Sequence, residues 1–398
     1  MSQITEPAPV AADAAPATPR TLRGLVRYYL SLGSSGFGGP IALVGYMHRD
    51  LVQGRRWYTE AEFQQGMAVA QMMPGPLAAQ LAMWFGYLHA GWRGAAAVAA
   101  PFVLVPFALV TAVAVFYAEY QGLPWVHHIF RAVGPAVLAI ITIAAYKLGR
   151  STNKTDPVLW IIGIVLCAAT AISGAEIVWL FLLAAAFGAI YYGGGLPRPG
   201  SGLASVSPAG ILAAVQGFAW AGSSASVGTL GLFFLKAGAF TFGSGLAIVP
   251  FLHAGLVDEH HWLTEQQFID AVAMGLISPG PVVIMATFAG YLVFGITGAI
   301  IATLAVFLPA YLLVVIPGPV IRRYEHHPRL QGFIKGATAA AVGAIAGAAI
   351  VIAQQVIEDE WSALIALIAL AALLQRRVKI TEPALVAAAA LAGLVVFS

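Results

Sequence analysis

The sequence predicts an all-α, polytopic membrane protein built from two homologous repeats of about five to six transmembrane helices each. Hydrophobic residues make up 60% of the chain and charged residues 9%, whereas soluble domains contain about 25% charged residues. Apolar runs of about 20 residues recur, and this length crosses a hydrocarbon core about 30 Å thick. In addition, the segment 32–76 recurs as 237–281.

The two copies share chemically distinctive residues and not only apolar ones. The matched pairs are Phe37-Gly38 with Phe242-Gly243, His48 with His253, Trp57 with Trp262, Glu60 with Glu265, and Pro74-Gly75-Pro76 with Pro279-Gly280-Pro281. The segment after the fourth helix is basic in the first half (147–154) and acidic in the second (358–360). Because basic loops mark one side of a membrane, this exchange favours inverted repeats.

The duplication also predicts the order of elements along the chain. Residues 1–20 are expected to be a disordered tail, 21–192 the first repeat, 193–226 a connector with an interfacial helix at 209–221, and 227–398 the second repeat. Backbone groups must be satisfied internally in lipid, so each long apolar run should be a helix. The long runs are 67–89, 94–117, 132–146, 227–251, 271–293, 295–316 and 333–356. Four shorter runs, 158–171, 177–192, 361–374 and 384–397, are marginal for a full crossing.

Several classes of function find no support in the sequence. The chain has a single cysteine, Cys167, and shows neither a cysteine–histidine metal cluster nor a Walker or dinucleotide glycine motif. We therefore expect no metal, no cofactor, no catalytic residues and no nucleic-acid partner. Energy for transport would have to come from an ion gradient. The chain could act as a monomer or as a homodimer.

Two motifs recur in both halves and are the main candidates for a binding site. A glycine cluster comprises Phe37, Gly38, Gly39 and Pro40 in the first half and Phe242, Gly243, Ser244 and Gly245 in the second. The Pro-Gly-Pro triplets, 74–76 and 279–281, should break transmembrane helices, because proline removes a donor and clashes with the preceding turn. A helix that restarts after such a break presents free N–H groups, which attract anions. Close helix packing is the alternative role for these small residues.

Polar residues near these motifs are further candidates. Lys236 lies a few residues before the second glycine cluster, where it could balance an anion or extend to the interface. Gln71 precedes the first triplet and could donate a hydrogen bond to an oxyanion. Asp270 is expected to be a terminal charge at the start of a helix.

The matched histidines and glutamates could serve structure or proton coupling. Glu60 and Glu265 lie beside Thr-x-x-Glu and Thr-x-x-Gln capping boxes, which explain them structurally. His48 and His253 have a side chain suited to carrying protons, although a solvated helix end explains them equally well. Arg49, Arg55 and Arg56 form a basic segment that could attract an anion.

The motifs GFGGP (36–40), WYTEAEF (57–63) and MMPGP (72–76), repeated as FGSG, WLTEQQF and SPGP, resemble the chromate ion transporter family in its two-domain, fused form. The resemblance implies a bacterial inner-membrane protein that expels chromate, or a sulfate-like anion, with protons as the coupling ion. Two alternatives remain at this point. One is an uncoupled anion channel of the same fold, and the other is a membrane-embedded enzyme, for which no acid–nucleophile pair is visible.

Overall fold

The computed structural model describes residues 20–37, 39–120, 124–173, 178–194, 226–241, 245, 248–318, 327–357, 359–375 and 380–397. Almost all of the expected N-terminal tail and connector, together with Gly38, Phe242, Gly243 and Ser244, lie outside these residues. In the described part the chain is helical and contains no strand.

Among the described residues, each half shows seven α-helices in the same order. The first half has α1 (Leu22–Ser35), α2 (Gly39–Met47) with a π-helical turn (His48–Gly54), α3 (Glu60–Met72), α4 (Leu77–Tyr120), α5 (Pro124–Thr152), α6 (Pro157–Ser173) and α7 (Val178–Tyr191). The second half has α8 (Val227–Phe240), α9 (Ile248–His253) with a π-helical turn (Ala254–Glu259), α10 (Glu265–Ile277), a short 3-10 helix (Val282–Ile284), α11 (Met285–Val315), α12 (Pro328–Val356), α13 (Glu360–Leu374) and α14 (Glu382–Val396).

Four helical segments in the described part are long and apolar enough to cross a membrane. They are Leu77–Tyr120, Arg131–Arg150, Val282–Val315 and Pro328–Gln354. The expectation of one spanning helix over residues 227–251 is wrong, because α8 ends at Phe240 and Thr241 has an extended backbone. The remaining helices near the glycine clusters are too short to span the membrane and pair up as hairpins.

The duplication is reproduced in unusual backbone geometry as well as in helix order. Arg56 and His261, at equivalent positions, have φ of 54° and 51°. Helix α4 breaks at Gly91 (φ 60°, ψ −149°), and α11 breaks at Gly295 (φ 56°, ψ −146°). Only glycine adopts this backbone region readily, so each copy uses glycine for the same sharp reversal.

At these reversals α4 and α11 fold back on themselves. A Cβ on Gly94 would lie 2.0 Å from the carbonyl oxygen of Gly86, and a Cβ on Gly298 would lie 2.0 Å from that of Gly290. Glycine pairs permit this backbone contact between membrane helices. The first segment of α4 also returns along α3, since the Tyr58 hydroxyl donates to the carbonyl of Phe85 at 2.9 Å.

Helices α1 and α2 form a second hairpin, whose two ends lie next to each other. The guanidinium of Arg20, just before α1, donates to the carbonyl of Trp57, which follows the π-helical turn, at 3.1 Å. Farther along, the Tyr28 hydroxyl donates to Asp50 at 3.4 Å. Both ends of the hairpin therefore lie at one surface and its tip lies inside the molecule.

The two halves are interlocked. Helices α6 and α7 of the first half pack mainly on α12 of the second, and α13 and α14 pack mainly on α5 of the first. A Cβ on Gly188 of α7 would lie 2.3 Å from the carbonyl oxygen of Gly332 in α12. Structurally, α5–α7 and α12–α14 form one group, which we call the scaffold. The hairpin-forming helices α1–α4 and α8–α11 form another, which we call the hairpin core.

Contacts between α4 and α11 show that the repeats run in opposite directions. The Tyr311 hydroxyl, near the end of α11, donates to the carbonyl of Trp92 at the start of the long segment of α4 (3.1 Å). At the other end of that segment, the ring of Tyr117 packs at 5.1 Å against Phe288, which lies before the Gly295 break, in the part of α11 that folds back onto the start of its second segment at Gly290 and Gly298. Antiparallel second segments are the arrangement expected of inverted repeats.

Candidate functional site

Each Pro-Gly-Pro triplet lies in a non-helical gap between two helices. Helix α3 ends at Met72 and α4 begins at Leu77, with an extended backbone at Met73. Helix α10 ends at Ile277, and Ser278 is likewise extended. The proline rings cannot donate to the preceding turn, so both helices end before the triplet.

The breaks of opposite halves are hydrogen-bonded to each other. The N–H of Gly280, in the second triplet, donates to the carbonyl of Gly36 beside the first glycine cluster at 3.0 Å. The N–H of Gly75, in the first triplet, donates to the carbonyl of Thr241 beside the second cluster. The structure thus brings the two triplets and the residues beside the two glycine clusters, Gly36 and Thr241, into one region between the halves. Because both glycine N–H groups already have acceptors, they are not the donors available to an anion.

The donors available at the first triplet belong to the start of α4. Leu77, Ala78 and Ala79 occupy its first turn, where no earlier helical carbonyl can accept. Their N–H groups have no hydrogen-bond partner in the part of the chain that the structure describes. Ala78 and Ala79 are buried, so the positive end of this helix faces a region of low dielectric constant, where it interacts strongly with negative charge.

The first glycine cluster lies close to a carboxylate. Phe37 is 39% exposed, and Gly39 has φ of 73° at the start of α2, beside the half-buried Pro40. A Cβ on Gly39 would lie 3.2 Å from Oε2 of Glu382, the first residue of α14. Sequence reasoning missed Glu382, because helix α14 is distant in the chain and reaches the cluster only through the interlocking of the halves.

Polar side chains around the first triplet differ in burial. Gln71 is exposed on α3. Gln80 is fully buried, and its Nε2 donates to the carbonyl of Pro74 at 2.7 Å, which holds the break in place. Its Oε1 is buried without a partner among the described residues. Lys236 is half-buried on α8, about one turn before Thr241.

The matched histidines and glutamates form one ion pair in each half. His48 Nε2 lies 2.7 Å from Glu60 Oε2, and His253 Nε2 lies 2.8 Å from Glu265 Oε2. His48 begins the π-helical turn of its half and His253 ends α9, so each pair joins the region where α2 or α9 meets its π-helical turn to the start of the next helix. In the second half Asp258 adds a second carboxylate, 3.1 Å from His253 Nδ1.

The two pairs differ in electrostatics although they match in geometry. The side chain of His253 is 4% exposed. Burial opposes its charged form, but the hydrogen bonds and charges of Glu265 and Asp258 outweigh this and raise the pKa of His253. Hydrogen bonds from Gln64 and His48 lower the pKa of the exposed Glu60. These groups lie at the outer ends of the hairpins and do not reach the breaks.

The basic segment also lies at the outer end of its hairpin. The Arg49 Nε donates to Asp50 at 2.8 Å, and Arg55 stacks over the rings of Tyr28 and Trp57, at 5.0 and 4.8 Å. Arg56 is exposed. The structure therefore places these arginines at a surface and does not bring them to the breaks.

Comparison with known proteins identifies the family. The Chromate transporter family model matches residues 24–189 and 228–394. A chromate transport protein of Cupriavidus metallidurans is 48% identical over 95% of this chain and 94% of its own length. A probable chromate transport protein of Synechococcus elongatus is 46% identical over 95% and 96%, and a chromate transport protein of Pseudomonas aeruginosa is 32% identical over 95% and 93%. The chain belongs to the chromate transporter family.

The two matched regions of this chromate transporter correspond to the two copies seen in the structure, in agreement with the fused, two-domain form. Together with its apolar helices, the match identifies a multi-pass membrane protein. No solved structure matches the chain.

One side chain of this transporter has a different place from the expected one. Asp270 was expected to be a terminal charge, but it is the sixth residue of α10 and is 1% exposed. Sequence reasoning missed it because a helix boundary inside an apolar run cannot be located well from periodicity alone. Its partner, Tyr117, comes from the other half and gave no signal in the sequence.

Proposed function

We propose that this protein carries chromate, or a related divalent oxyanion such as sulfate, out of the bacterial cytoplasm across the inner membrane in exchange for protons. Such export would confer resistance to chromate. Family membership and the chromate transport proteins that resemble the chain along nearly its whole length support the cargo.

The anion would bind where the two Pro-Gly-Pro triplets meet the residues beside the two glycine clusters. The observation that carries this proposal is the reciprocal pair of hydrogen bonds between halves, Gly280 to Gly36 and Gly75 to Thr241. These bonds hold the starts of helices from both copies in one region between the halves. Free N–H groups at the start of α4 supply donors, and Lys236 supplies a positive charge nearby. Binding through helix starts and unwound backbone is common in transporters built from inverted repeats.

Alternating access would follow from movement of the hairpin core against the scaffold. A simple rocking of the first half of the sequence against the second is disfavoured, because α6 and α7 are packed on α12 of the other half. The hairpin core contains all the breaks and parts of both halves, so it can move as a unit around the bound anion.

The test is chromate flux in proteoliposomes with an imposed pH gradient, comparing wild type with Pro76→Ala and Pro281→Ala. The control is Pro101→Ala, a proline inside α4 that lies outside the triplets. Uphill chromate movement that an uncoupler abolishes, that both triplet variants lose and that the control retains would support the proposal. Downhill flux that ignores the gradient would identify a channel. Flux of sulfate without chromate would correct the cargo, and retained flux in both triplet variants would reject the breaks as the site.

A further inference from the structure

Asp270 is a buried carboxyl group at a contact between the two halves. Its Oδ2 accepts from the hydroxyl of Tyr117 at 2.6 Å, and its Oδ1 accepts from Nε2 of Gln266 at 2.8 Å. Tyr117 belongs to α4 of the first half, whereas Asp270 and Gln266 belong to α10 of the second. Both carboxyl oxygens are therefore satisfied by neutral donors.

The charges around this carboxyl group determine what its burial costs. In the described part of the chain, no lysine, arginine or histidine lies within ion-pair distance of Asp270. Of the helices packed on α10, α5 carries His127, His128, Arg131, Lys147 and Arg150, and α14 carries Glu382. The adjoining π-helical turn carries Asp258 and Glu259. The groups that face Asp270 are the Tyr117 hydroxyl and the Gln266 amide.

A carboxylate without a cation is costly to bury, and burial raises the pKa of Asp270 to about 7 although its hydrogen bonds from Tyr117 and Gln266 favour the charged form. The equivalent residue in the first half is Gln65, which is half-buried, whereas Asp270 is buried. The asymmetry gives one copy a group that can gain and lose a proton, while the other copy has an amide that cannot.

We propose that Asp270, held by Tyr117, is the proton-carrying residue of the transport cycle. The inference rests on the proposed exchange of an oxyanion for protons. When a proton arrives, an O–H bond forms on the Asp270 carboxylate and the negative charge disappears. When the proton leaves to the opposite side, the ionised group needs solvent or a rearranged partner.

Ionisation of Asp270 would affect helices α10 and α4, which belong to the hairpin core. Helix α10 carries Asp270 two turns before the second break at 278–281, so both move with one rigid segment. Tyr117 connects the same carboxyl group to α4, whose start provides the free N–H donors. A change in the strength of the Asp270–Tyr117 hydrogen bond would therefore alter this contact between α10 and α4.

The experiment separates coupling from anion transport. Wild type, Asp270→Asn, Asp270→Glu and Tyr117→Phe are reconstituted in proteoliposomes, with Glu119→Gln as a control that removes an exposed carboxylate close to Tyr117. Two quantities are measured: chromate accumulation into an acidic lumen, and exchange of labelled chromate at equal pH on both sides. A gradient of one pH unit sustains an accumulation ratio of about tenfold per coupled proton.

We expect Asp270→Asn to lose gradient-driven accumulation and the chromate-dependent proton flux while keeping exchange. Asp270→Glu should restore accumulation, Tyr117→Phe should shift its pH dependence, and Glu119→Gln should resemble wild type. Gradient-driven accumulation by Asp270→Asn would overturn the inference. Loss of exchange in both Asp270 variants, with folding intact, would overturn it in favour of a structural role. Wild-type flux without gradient dependence would reject proton coupling but leave chromate transport standing, whereas no wild-type flux would reject the proposed function itself.

Discussion

The substitution Gly280→Ala tests whether the two halves meet at the Pro-Gly-Pro triplets. Gly280 has φ of 88° and donates its N–H to the carbonyl of Gly36 in the other half. An added Cβ would lie 2.6 Å from Cγ of Pro106 in α4. A proline ring has little freedom to move aside, so the backbone contact between the halves would have to open.

Two terms contribute to the expected cost. A non-glycine residue in a positive-φ conformation costs about 1–3 kcal/mol, and inserting a methyl group into a closely packed contact costs about 1–3 kcal/mol. We therefore expect Gly280→Ala to lower the free energy of unfolding by roughly 2–6 kcal/mol. Gly295→Ala is the matched control, because Gly295 also has positive φ (56°) but a Cβ there would meet nothing within 4 Å.

The assay is reversible unfolding of the purified protein in detergent, combined with chromate flux in proteoliposomes. Gly280→Ala and Gly295→Ala compare a crowded with an uncrowded glycine of positive φ, and we expect the crowding at Gly280 to cost about 1–3 kcal/mol, or roughly five- to 150-fold in the unfolding equilibrium. Pro106→Ala removes the obstructing Cγ, so Gly280→Ala should cost less in that background. Equal costs for Gly280→Ala and Gly295→Ala, with no coupling to Pro106, would refute the contact between the halves.

Two further predictions concern the hairpins. The pKa of His253 is raised in the folded protein. Its ion pair with Glu265 therefore stabilises the fold fully below the unfolded pKa of about 6.5, and this stabilisation is lost as pH rises through the folded pKa. The melting temperature of wild type should fall over that range more steeply than that of His253→Gln. Gly94→Ala should prevent stable folding, because its Cβ would lie 2.0 Å from the Gly86 carbonyl oxygen. The control is Gly45→Ala, at a helical position with open space. This control should fold normally in thermal unfolding and size-exclusion measurements.

Much of the architecture could be predicted from local patterns. The capping boxes at Thr59 and Thr264 form as the spacing indicates, with Glu62 and Gln267 closing them. The gaps at the triplets lie where proline chemistry places them. The sharp reversal at Gly91 was not predicted, because a glycine in an apolar run gives no sign of its backbone angles.

The pairing of these histidines and glutamates could not be predicted from local sequence patterns. The sequence suggested a helix-end or a proton-coupling role for His48 and for Glu60 separately, yet the structure joins them at 2.7 Å, and the same holds for the second copy. Twelve residues separate the members of each pair, and only the path of the turn between them decides whether they meet.

By itself, the sequence determined the membrane class, the duplication and the interruption of helices at the two Pro-Gly-Pro triplets, because composition, repetition and proline chemistry are properties of the chain at each point. The tertiary structure alone decided that Gly280 bonds to Gly36 and that Tyr117 bonds to Asp270. Both contacts join residues of opposite halves, and their formation depends on how inverted copies interlock. That arrangement follows from the packing of whole helices, which short-range patterns do not encode.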